Sequence, residues 1–169
     1  MALKPENDKV FTDPLFAKRI IDYFNLSGLC FDPCRGFGID KFGRLGGAFY
    51  SQLPEPKLYA EIEEGIDCID QFVPVEWSIT NPPYSAKAYR KVARHCFKIS
   101  NNVVFLVRLD VALGTYARLD DAKLNGHKLK EIIVCNYKDA GFAQRGFVLG
   151  ILHWNKTKED IQTKWTYWI

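Results

Sequence analysis

A chain of 169 residues, of which 47% are hydrophobic and 25% charged, is long enough for one domain with a full core and too apolar to remain disordered. Its longest apolar runs have the length of a strand, far below the roughly 20 residues that a membrane-spanning helix needs. The 23 basic and 20 acidic residues leave a formal net charge of +3, too small to identify a nucleic-acid-binding protein by charge alone. We therefore expect a single domain over residues 1–169, without a transmembrane segment.

The N-terminus and the cysteines indicate where the protein resides. The first ten residues are charged and lack the apolar core of a secretory signal, which favours the cytoplasm. The five cysteines are an odd and scattered set, typical of buried thiols in a reducing compartment. Cys30 and Cys34 lie close together, but His95, His127 and His153 do not follow at the spacing of a zinc site. We expect neither a disulfide nor a bound metal ion.

The first third of the chain predicts two helices and two strands. Thr12 or Asp13 caps a first helix with Pro14 in its first turn, and hydrophobic residues then recur at helical spacing. An apolar run at 29–31 predicts a strand that opens into a glycine-rich loop. A helix is expected near Gly46, over 48–53, and a second strand over 57–61.

The rest of the chain alternates in the same way. A strand over 77–80 ends at two prolines, and the helix that follows from Ser85 has one apolar face and one basic face. A buried strand over 103–107 precedes a helical segment near 111–123. Two further strands, 132–135 and 147–152, close the chain, and the aromatic residues after them are expected to pack as a tail on the core or on a second subunit: Trp165, Tyr167 and Trp168.

This order of elements predicts an α/β fold. Strands that alternate with helices, followed by two consecutive strands, indicate an open, mostly parallel sheet with an antiparallel C-terminal hairpin and helices on both faces. Ligands of such sheets bind at the carboxyl ends of the strands. The residues that follow each strand are therefore the candidates for function.

Polar and small residues follow the first two predicted strands. The segment 32–38, Asp-Pro-Cys-Arg-Gly-Phe-Gly, contains glycines that let the backbone approach a ligand closely, although an ordinary turn has the same composition. Glu61 ends the second strand, where a carboxylate accepts hydrogen bonds from ribose hydroxyls. Asp67 follows six residues later, within reach of an adenine amino group, or is one of several solvated loop acids.

The most specific segment is Asn81-Pro82-Pro83-Tyr84, at the end of the third predicted strand. Its two prolines fix the backbone, so that the side-chain oxygen of Asn81 and the carbonyl of Pro82 can accept both hydrogens of one exocyclic amine. Tyr84 can then stack on a flat ring. The segment therefore predicts a site for a planar amine.

These motifs, in this order, resemble the class I S-adenosylmethionine-dependent methyltransferases that methylate amines of DNA. The match covers most of the chain and is greatest for small stand-alone adenine methylases of the type that phages carry, through the Ala-Glu-Ile and Ile-Thr-Asn-Pro-Pro-Tyr-Ser segments. The resemblance implies a Rossmann-like fold and transfer of a methyl group from S-adenosylmethionine to N6 of a flipped-out adenine in DNA, without a metal. It implies catalytic roles for Asn81, Pro82, Pro83 and Tyr84. The cofactor-binding residues that it implies are Phe11, Thr12, Asp32, Pro33, Cys34, Gly36, Gly38, Glu61, Ile62 and Asp67.

The chain departs from this family in two respects. Residues 38–45 lengthen the glycine-rich loop, and this extra segment is a candidate lid, a DNA contact or a surface insertion without a role. There is no room for a separate target-recognition domain, so sequence specificity should be short and contacts should go mainly to phosphates. A second copy or a specificity subunit is a candidate partner. The candidate nucleic-acid-binding residues are Lys41, Arg44, Lys87, Arg90, Lys91 and Arg94.

Other functions use the same tetrapeptide. Adenine in RNA and glutamine side chains in proteins also present a planar nitrogen to two acceptors, so both are alternative substrates. A protein that binds the cofactor but has lost catalysis, and acts as an interaction module, is the alternative from a different class. The intact segment 81–84 argues against it.

Overall fold

The computed structural model describes residues 10–142 and 146–168, so the charged residues 1–9 lie outside it. One seven-stranded sheet forms the centre, with its strands in the order β2-β1-β3-β4-β6-β5-β7. The strands are β1 Cys30–Asp32, β2 Lys57–Tyr59, β3 Val75–Thr80, β4 Ser100–Arg108, β5 His127–Cys135, β6 Leu149–Lys156 and β7 Lys164–Trp168. The helices are α1 Pro14–Phe24, α2 Ala86–Ile99, α3 Leu109–Leu113 and α4 Tyr116–Leu124.

The sheet has the predicted mixed topology. Strands β2, β1, β3 and β4 pair in parallel, whereas β6 runs antiparallel to both β4 and β5. The buried run 103–107 lies in β4, near the middle of the sheet, where both faces are covered. A mostly parallel sheet with an antiparallel C-terminal hairpin is therefore confirmed, and the carboxyl ends of four parallel strands meet at one edge.

Helices cover both faces of the sheet, as predicted. On one face α1 buries Phe16, Ala17, Ile20 and Ile21, with Asp13 as the N-cap that accepts from the amides of Leu15 and Phe16. The opposite face holds the apolar side of α2 together with α3 and α4. Each fully buried aliphatic or aromatic side chain contributes about 1.5–3 kcal/mol, so the two clusters provide most of the driving force for folding.

Two predicted helices differ in the structure. The helix expected over 48–53 is only a 3₁₀ turn, Tyr50–Gln52, because Pro54 disfavours helical geometry in Leu53, which is extended at ψ 143°. The helical segment near 111–123 divides into α3 and α4, since Gly114 and Thr115 interrupt it. The strand predicted over 147–152 is β6, which begins at Leu149 and continues to Lys156.

The C-terminal aromatic residues form a strand that the sequence did not predict. β7 pairs in parallel with β5, and its alternation sends Trp168 onto α1, where its ring contacts those of Phe16 and Tyr23 edge-on. Trp168 thus packs on the core as expected. Trp165 and Tyr167 lie on the other face of β7 and remain 54% and 62% exposed. Among the helices described, none is long and apolar enough to span a bilayer.

Candidate cofactor and catalytic site

Three of the predicted site residues lie where three neighbouring parallel strands end. Asp32 is the last residue of β1, Glu61 follows β2 by two residues, and Asn81 directly follows β3. β1 lies between β2 and β3 in the sheet, so the three side chains are at one edge. The topology therefore brings together the acidic and amide groups that the sequence could only place at separate strand ends.

Asp32 is a buried carboxylate at the centre of this edge. Its Oδ1 accepts hydrogen bonds from the hydroxyl of Thr80, at 2.7 Å, and from the amide of Cys34, at 3.2 Å. Burial raises the pKa of Asp32 to about 7, because the charged form loses its hydration and these two donors restore only part of it. A cationic group of a ligand would stabilise the ionised form.

Glu61 fixes the glycine-rich loop. Its Oε2 accepts from the amide of Gly36 at 2.7 Å and its Oε1 from the amide of Glu63 at 3.0 Å. A carboxylate accepts about four hydrogen bonds, so lone pairs remain for the hydroxyls of a ligand. Gly36 has φ +84°, and a Cβ there would lie 2.7 Å from the ring of Phe11. Glycine is therefore required for the loop to pass between Glu61 and Phe11.

The remaining residues of the predicted cofactor site differ in exposure. Pro33 is buried and Cys34 is half-buried next to Asp32, whereas Gly38 is exposed and Ile62 is 66% exposed. Burial raises the pKa of the Cys34 thiol, so this thiol stays protonated. Thr12 is buried, and its hydroxyl lacks a hydrogen-bond partner within residues 10–142 and 146–168.

Asp67 is already engaged within the chain. Its Oδ2 lies 2.5 Å from Nζ of Lys91, and its Oδ1 accepts from the amide of Ile69. The hydrogen bond from Lys91 lowers the pKa of Asp67. Two residues predicted for different ligands, the cofactor and the nucleic acid, are thus bound to each other.

Asn81 presents an acceptor that the protein itself leaves unused. Its Nδ2 donates to the carbonyl of Val10 at 3.2 Å, which fixes the orientation of the amide. Its Oδ1 is buried and has no hydrogen-bond partner among the residues described. An unsatisfied buried acceptor costs about 1–3 kcal/mol, so such a group at a strand end is typical of a ligand site.

Tyr84 faces a second aromatic ring that the sequence did not single out. The rings of Tyr84 and Phe142 are nearly parallel, at 12°, with centroids 5.9 Å apart. The hydroxyl of Tyr84 contacts the carbonyl of Leu106 at 3.4 Å. Phe142 comes from the loop after β5, which carries no recognisable motif, so only the fold reveals that it borders segment 81–84.

The long glycine-rich loop is anchored through Asp40 and Arg44. Nε of Arg44 donates to Asp40 at 2.9 Å, and its Nη1 donates to the carbonyl of Gly141 at 2.6 Å. Asp40 also accepts the amide of Phe11. Arg44, a predicted nucleic-acid contact, therefore serves inside the protein, whereas Lys41 at the turn is exposed.

The predicted basic face lines an open groove of about 680 Å³ between α2 and α4. Arg90 forms a two-pronged contact with Asp121, at 2.6 and 3.2 Å, and Arg94 lies 3.5 Å from the same carboxylate. Lys87, in the first turn of α2, has no ion pair among the described residues. The groove also contains two residues that the sequence did not indicate, Thr115 and Arg118.

The fold, but not a sequence family, connects this chain with known proteins. No family model matches the sequence, and no curated protein matches it. A Pyrococcus horikoshii protein assigned as an RNA methyltransferase superposes with a TM-score of 0.61 at 12% identity, over 93% of this chain and 89% of that one. A Listeria monocytogenes protein assigned as a class I S-adenosylmethionine-dependent methyltransferase gives 0.61 at 14%, over 98% and 67%.

A third neighbour is considerably longer than this chain. The modification subunit assigned to a type I restriction enzyme of Vibrio vulnificus superposes with a TM-score of 0.57 at 11% identity, over 90% of this chain but only 45% of that one. At these identities the likeness concerns the fold. The chain has the Rossmann-like fold of class I methyltransferases.

Proposed function

We propose that this protein transfers a methyl group from S-adenosylmethionine to the N6 amine of adenine in DNA. The observation that carries the proposal is the buried Oδ1 of Asn81, which has no hydrogen-bond partner among the described residues and lies three positions before Tyr84, whose ring is parallel to that of Phe142. A hydrogen-bond acceptor beside an aromatic surface fits an aromatic amine.

The residues at the strand ends fit the cofactor. S-adenosylmethionine supplies an electrophilic methyl group on a sulfonium, together with a cationic amine and a ribose. Glu61 retains lone pairs for the two ribose hydroxyls, and Asp32 offers a buried carboxylate that gains from a nearby cation. The hydroxyl of Thr12 is a further buried polar group without a partner among the described residues. The backbone at Gly36 and Gly38 completes the proposed site, with Phe11 over the loop.

Asn81 and Pro82 would act on the amine itself. The adenine N6 lone pair is delocalised into the ring, and acceptance of both N6 hydrogens by Oδ1 of Asn81 and the carbonyl of Pro82 favours a localised lone pair directed at the methyl group. Pro83 keeps this turn rigid. Positioning then provides most of the acceleration, and no covalent enzyme intermediate is needed.

The target adenine has to leave the duplex, because its amine lies inside the base stack. Tyr84 and Phe142 offer aromatic faces on which the extruded ring can stack, each such contact being worth about 1–3 kcal/mol. In the structure the two rings stack on each other, with centroids 5.9 Å apart, so the base would replace their mutual contact. A small opening of the loop that holds Phe142 would admit the base.

A polynucleotide substrate is favoured by the groove between α2 and α4. Its lining contains Lys87, Arg90, Lys91, Arg94 and Arg118, and α2 begins two residues after Tyr84. Cations at this place suit phosphates on either side of the target base better than a glutamine side chain of a protein. DNA rather than RNA is proposed from the likeness of segment 81–84 to DNA methylases. RNA adenine methylation is the second candidate, because a solved neighbour is assigned as an RNA methyltransferase.

Partners and location belong to the same proposal. We propose that residues 1–169 form a single methyltransferase domain that reads a short sequence or takes its specificity from a second copy or another subunit. One solved neighbour is itself a subunit of a restriction enzyme. We place the protein in the cytoplasm, or in the host cytoplasm if a phage encodes it.

The test compares substrates directly. The protein is incubated with isotope-labelled S-adenosylmethionine and, separately, duplex DNA, single-stranded DNA, RNA and cell protein, and the digests are analysed by mass spectrometry. Labelled N6-methyladenine in DNA is the expected product, and Asn81→Ala should abolish it while cofactor binding persists. Label found in RNA or in glutamine would show that the substrate is RNA or protein instead of DNA. Cofactor binding without any methylated product would favour the non-catalytic interaction module.

A further inference from the structure

Residues 38–46 form a small hairpin beside the catalytic segment. Ile39 and Leu45 form an antiparallel bridge, the amide of Asp40 donates to the carbonyl of Arg44 at 2.9 Å, and the amide of Gly46 donates to the carbonyl of Gly38 at 3.0 Å. The amide of Gly43 donates to the carbonyl of Asp40 and closes the turn. The extra loop is therefore an ordered element of the structure.

Two charged side chains of this hairpin, those of Asp40 and Arg44, point into the protein. Asp40 is 6% exposed and accepts from the amides of Phe11, Phe42 and Arg44. Arg44 lies 2.8 Å from Asp40 through Nη2 and donates to the carbonyl of Gly141. These contacts fix the hairpin to two separate segments of the chain.

The apolar side chains point outward. Ile39 is 64% exposed and Leu45 is 69% exposed, although residues of this kind are usually buried. Directly opposite residues of an antiparallel bridge lie on the same face, so the two side chains form one aliphatic ridge. The Asp40–Arg44 pair lies inside and the Ile39–Leu45 pair outside, which inverts the usual pattern for these four residues and leaves the ridge open to an apolar partner.

The anchoring contacts place the ridge at the rim of the proposed catalytic site. Phe11, held by Asp40, is next to Val10, whose carbonyl fixes the amide of Asn81. Gly141, held by Arg44, is next to Phe142, whose ring lies parallel to that of Tyr84. The hairpin is thus bonded to the residue beside Val10, which holds Asn81, and to the residue beside Phe142, which faces Tyr84.

We propose that Ile39 and Leu45 form a wedge that inserts into the base stack where the target adenine leaves the duplex. This inference rests on the proposed function. The base stack is the apolar part of a nucleic acid, and aliphatic side chains are among those that proteins insert between base steps. Lys41 is exposed at the adjacent turn and supplies a cation for a neighbouring phosphate. The buried Asp40–Arg44 pair holds the ridge in place when the stack resists it.

The test uses the double variant Ile39→Ser/Leu45→Ser on a target site mapped with the wild type. Its substrates are the matched duplex, the same duplex with an abasic site opposite the target adenine, and the single strand. We expect kcat/KM on the matched duplex to fall at least tenfold, whereas kcat/KM on each of the other two substrates should change by less than threefold. The fluorescence of 2-aminopurine at the target position should rise with the wild type and stay low with the variant.

Two controls separate this role from a structural one. Leu124→Ser removes an aliphatic side chain that is 82% exposed on α4, and it should leave kcat/KM on all three substrates unchanged. Ile39→Leu/Leu45→Ile keeps the ridge apolar and should retain activity on the matched duplex. An unchanged melting temperature and an unchanged affinity for S-adenosylmethionine show that the variants remain folded and loaded.

Several outcomes would overturn the wedge. Equal losses of kcat/KM on all three substrates, or no loss on the matched duplex, would show that the ridge is not a wedge. Weakened binding of S-adenosylmethionine would instead make the ridge part of the cofactor site. Wild-type activity confined to single strands would also overturn it. Failure of the proposed function is distinct, because the wild type would then methylate adenine in none of the substrates.

Discussion

The amide of Gly36 donates a hydrogen bond of 2.7 Å to Oε2 of Glu61, which joins the loop after β1 to the end of β2. The bond connects residues that are 25 positions apart, and a side chain at Gly36 would collide with Phe11. Glu61 therefore has two roles. It holds the glycine-rich loop in position and leaves lone pairs for a ligand.

Glu61→Ala should weaken the binding of S-adenosylmethionine at least tenfold, because it removes the proposed ribose acceptor and releases the loop at Gly36. Calorimetric titration measures this dissociation constant. Asp70→Ala, which removes an exposed acid of a nearby turn, is the matched control and should have little effect. An unchanged affinity in Glu61→Ala, with the fold intact, would contradict ribose binding.

The buried carboxyl of Asp32 predicts a dependence of stability on pH. Its folded-state pKa, about 7, lies above its ordinary value of 3.8, so the neutral form stabilises the fold below about pH 4 and this contribution disappears as the pH rises through 7. Asp32→Asn keeps a neutral group at all pH values. The stability of the wild type relative to Asp32→Asn should therefore fall between pH 4 and 7 and become constant above.

Urea unfolding of both proteins across this range checks the prediction. Burial lowers the pKa values of His127 and His153 to about 4, and comparison with Asp32→Asn cancels their contributions because the variant retains both residues. A difference that does not vary with pH would show that Asp32 is ionised throughout.

Removal of Arg44 should destabilise the protein more than removal of its neighbour Lys41. The side chain of Asp40 is completely buried, so Arg44→Ala leaves its carboxylate without its cation, at a cost of roughly 3 kcal/mol. Lys41→Ala removes an exposed cation and should change the free energy of unfolding by less than about 0.5 kcal/mol. Urea unfolding distinguishes the two variants, and similar values for both would contradict the anchoring role.

Phe142→Leu should lower kcat/KM for DNA about 5- to 100-fold, the equivalent of about 1–3 kcal/mol of base stacking. The affinity for S-adenosylmethionine should not change, because the ring faces Tyr84 rather than the cofactor residues. Tyr84→Phe is the conservative control, because it keeps the aromatic face while removing the hydroxyl that contacts the carbonyl of Leu106 at 3.4 Å. Normal activity of Phe142→Leu would remove Phe142 from the base site.

Binding to duplex DNA should weaken steeply with salt, with a slope of about 0.9 in the logarithm of the affinity for each phosphate neutralised. Lys87→Ala should reduce this slope by about one phosphate. Lys18→Ala, on the opposite face of the sheet and paired with Asp22 at 2.8 Å, should leave it unchanged. Equal slopes for Lys87→Ala and the wild type would show that Lys87 contacts no phosphate and would favour a groove that is only a solvated surface.

Local patterns were sufficient to predict most of the architecture. The periodicity of α1 and α2 and the buried run in β4 predicted their elements, because hydrophobic spacing specifies which side faces the core. The structure of segments without a strong hydrophobic pattern was less predictable. A 3₁₀ turn replaced the helix expected over 48–53, and β7 was missed, since it depends on pairing with β5 rather than on a strong pattern of its own.

By itself, the sequence determined the order of the elements from α1 to β6, apart from the helix expected over 48–53, and the composition of the segments at the strand ends, including Asn81 to Tyr84. Only the tertiary structure decided which of these side chains are available. It paired Lys91 with Asp67 across 24 positions and Arg44 with the carbonyl of Gly141 across 97, and it placed Phe142 against Tyr84. Periodicity and turn chemistry act between near neighbours, whereas these contacts depend on how distant segments pack once the sheet has formed.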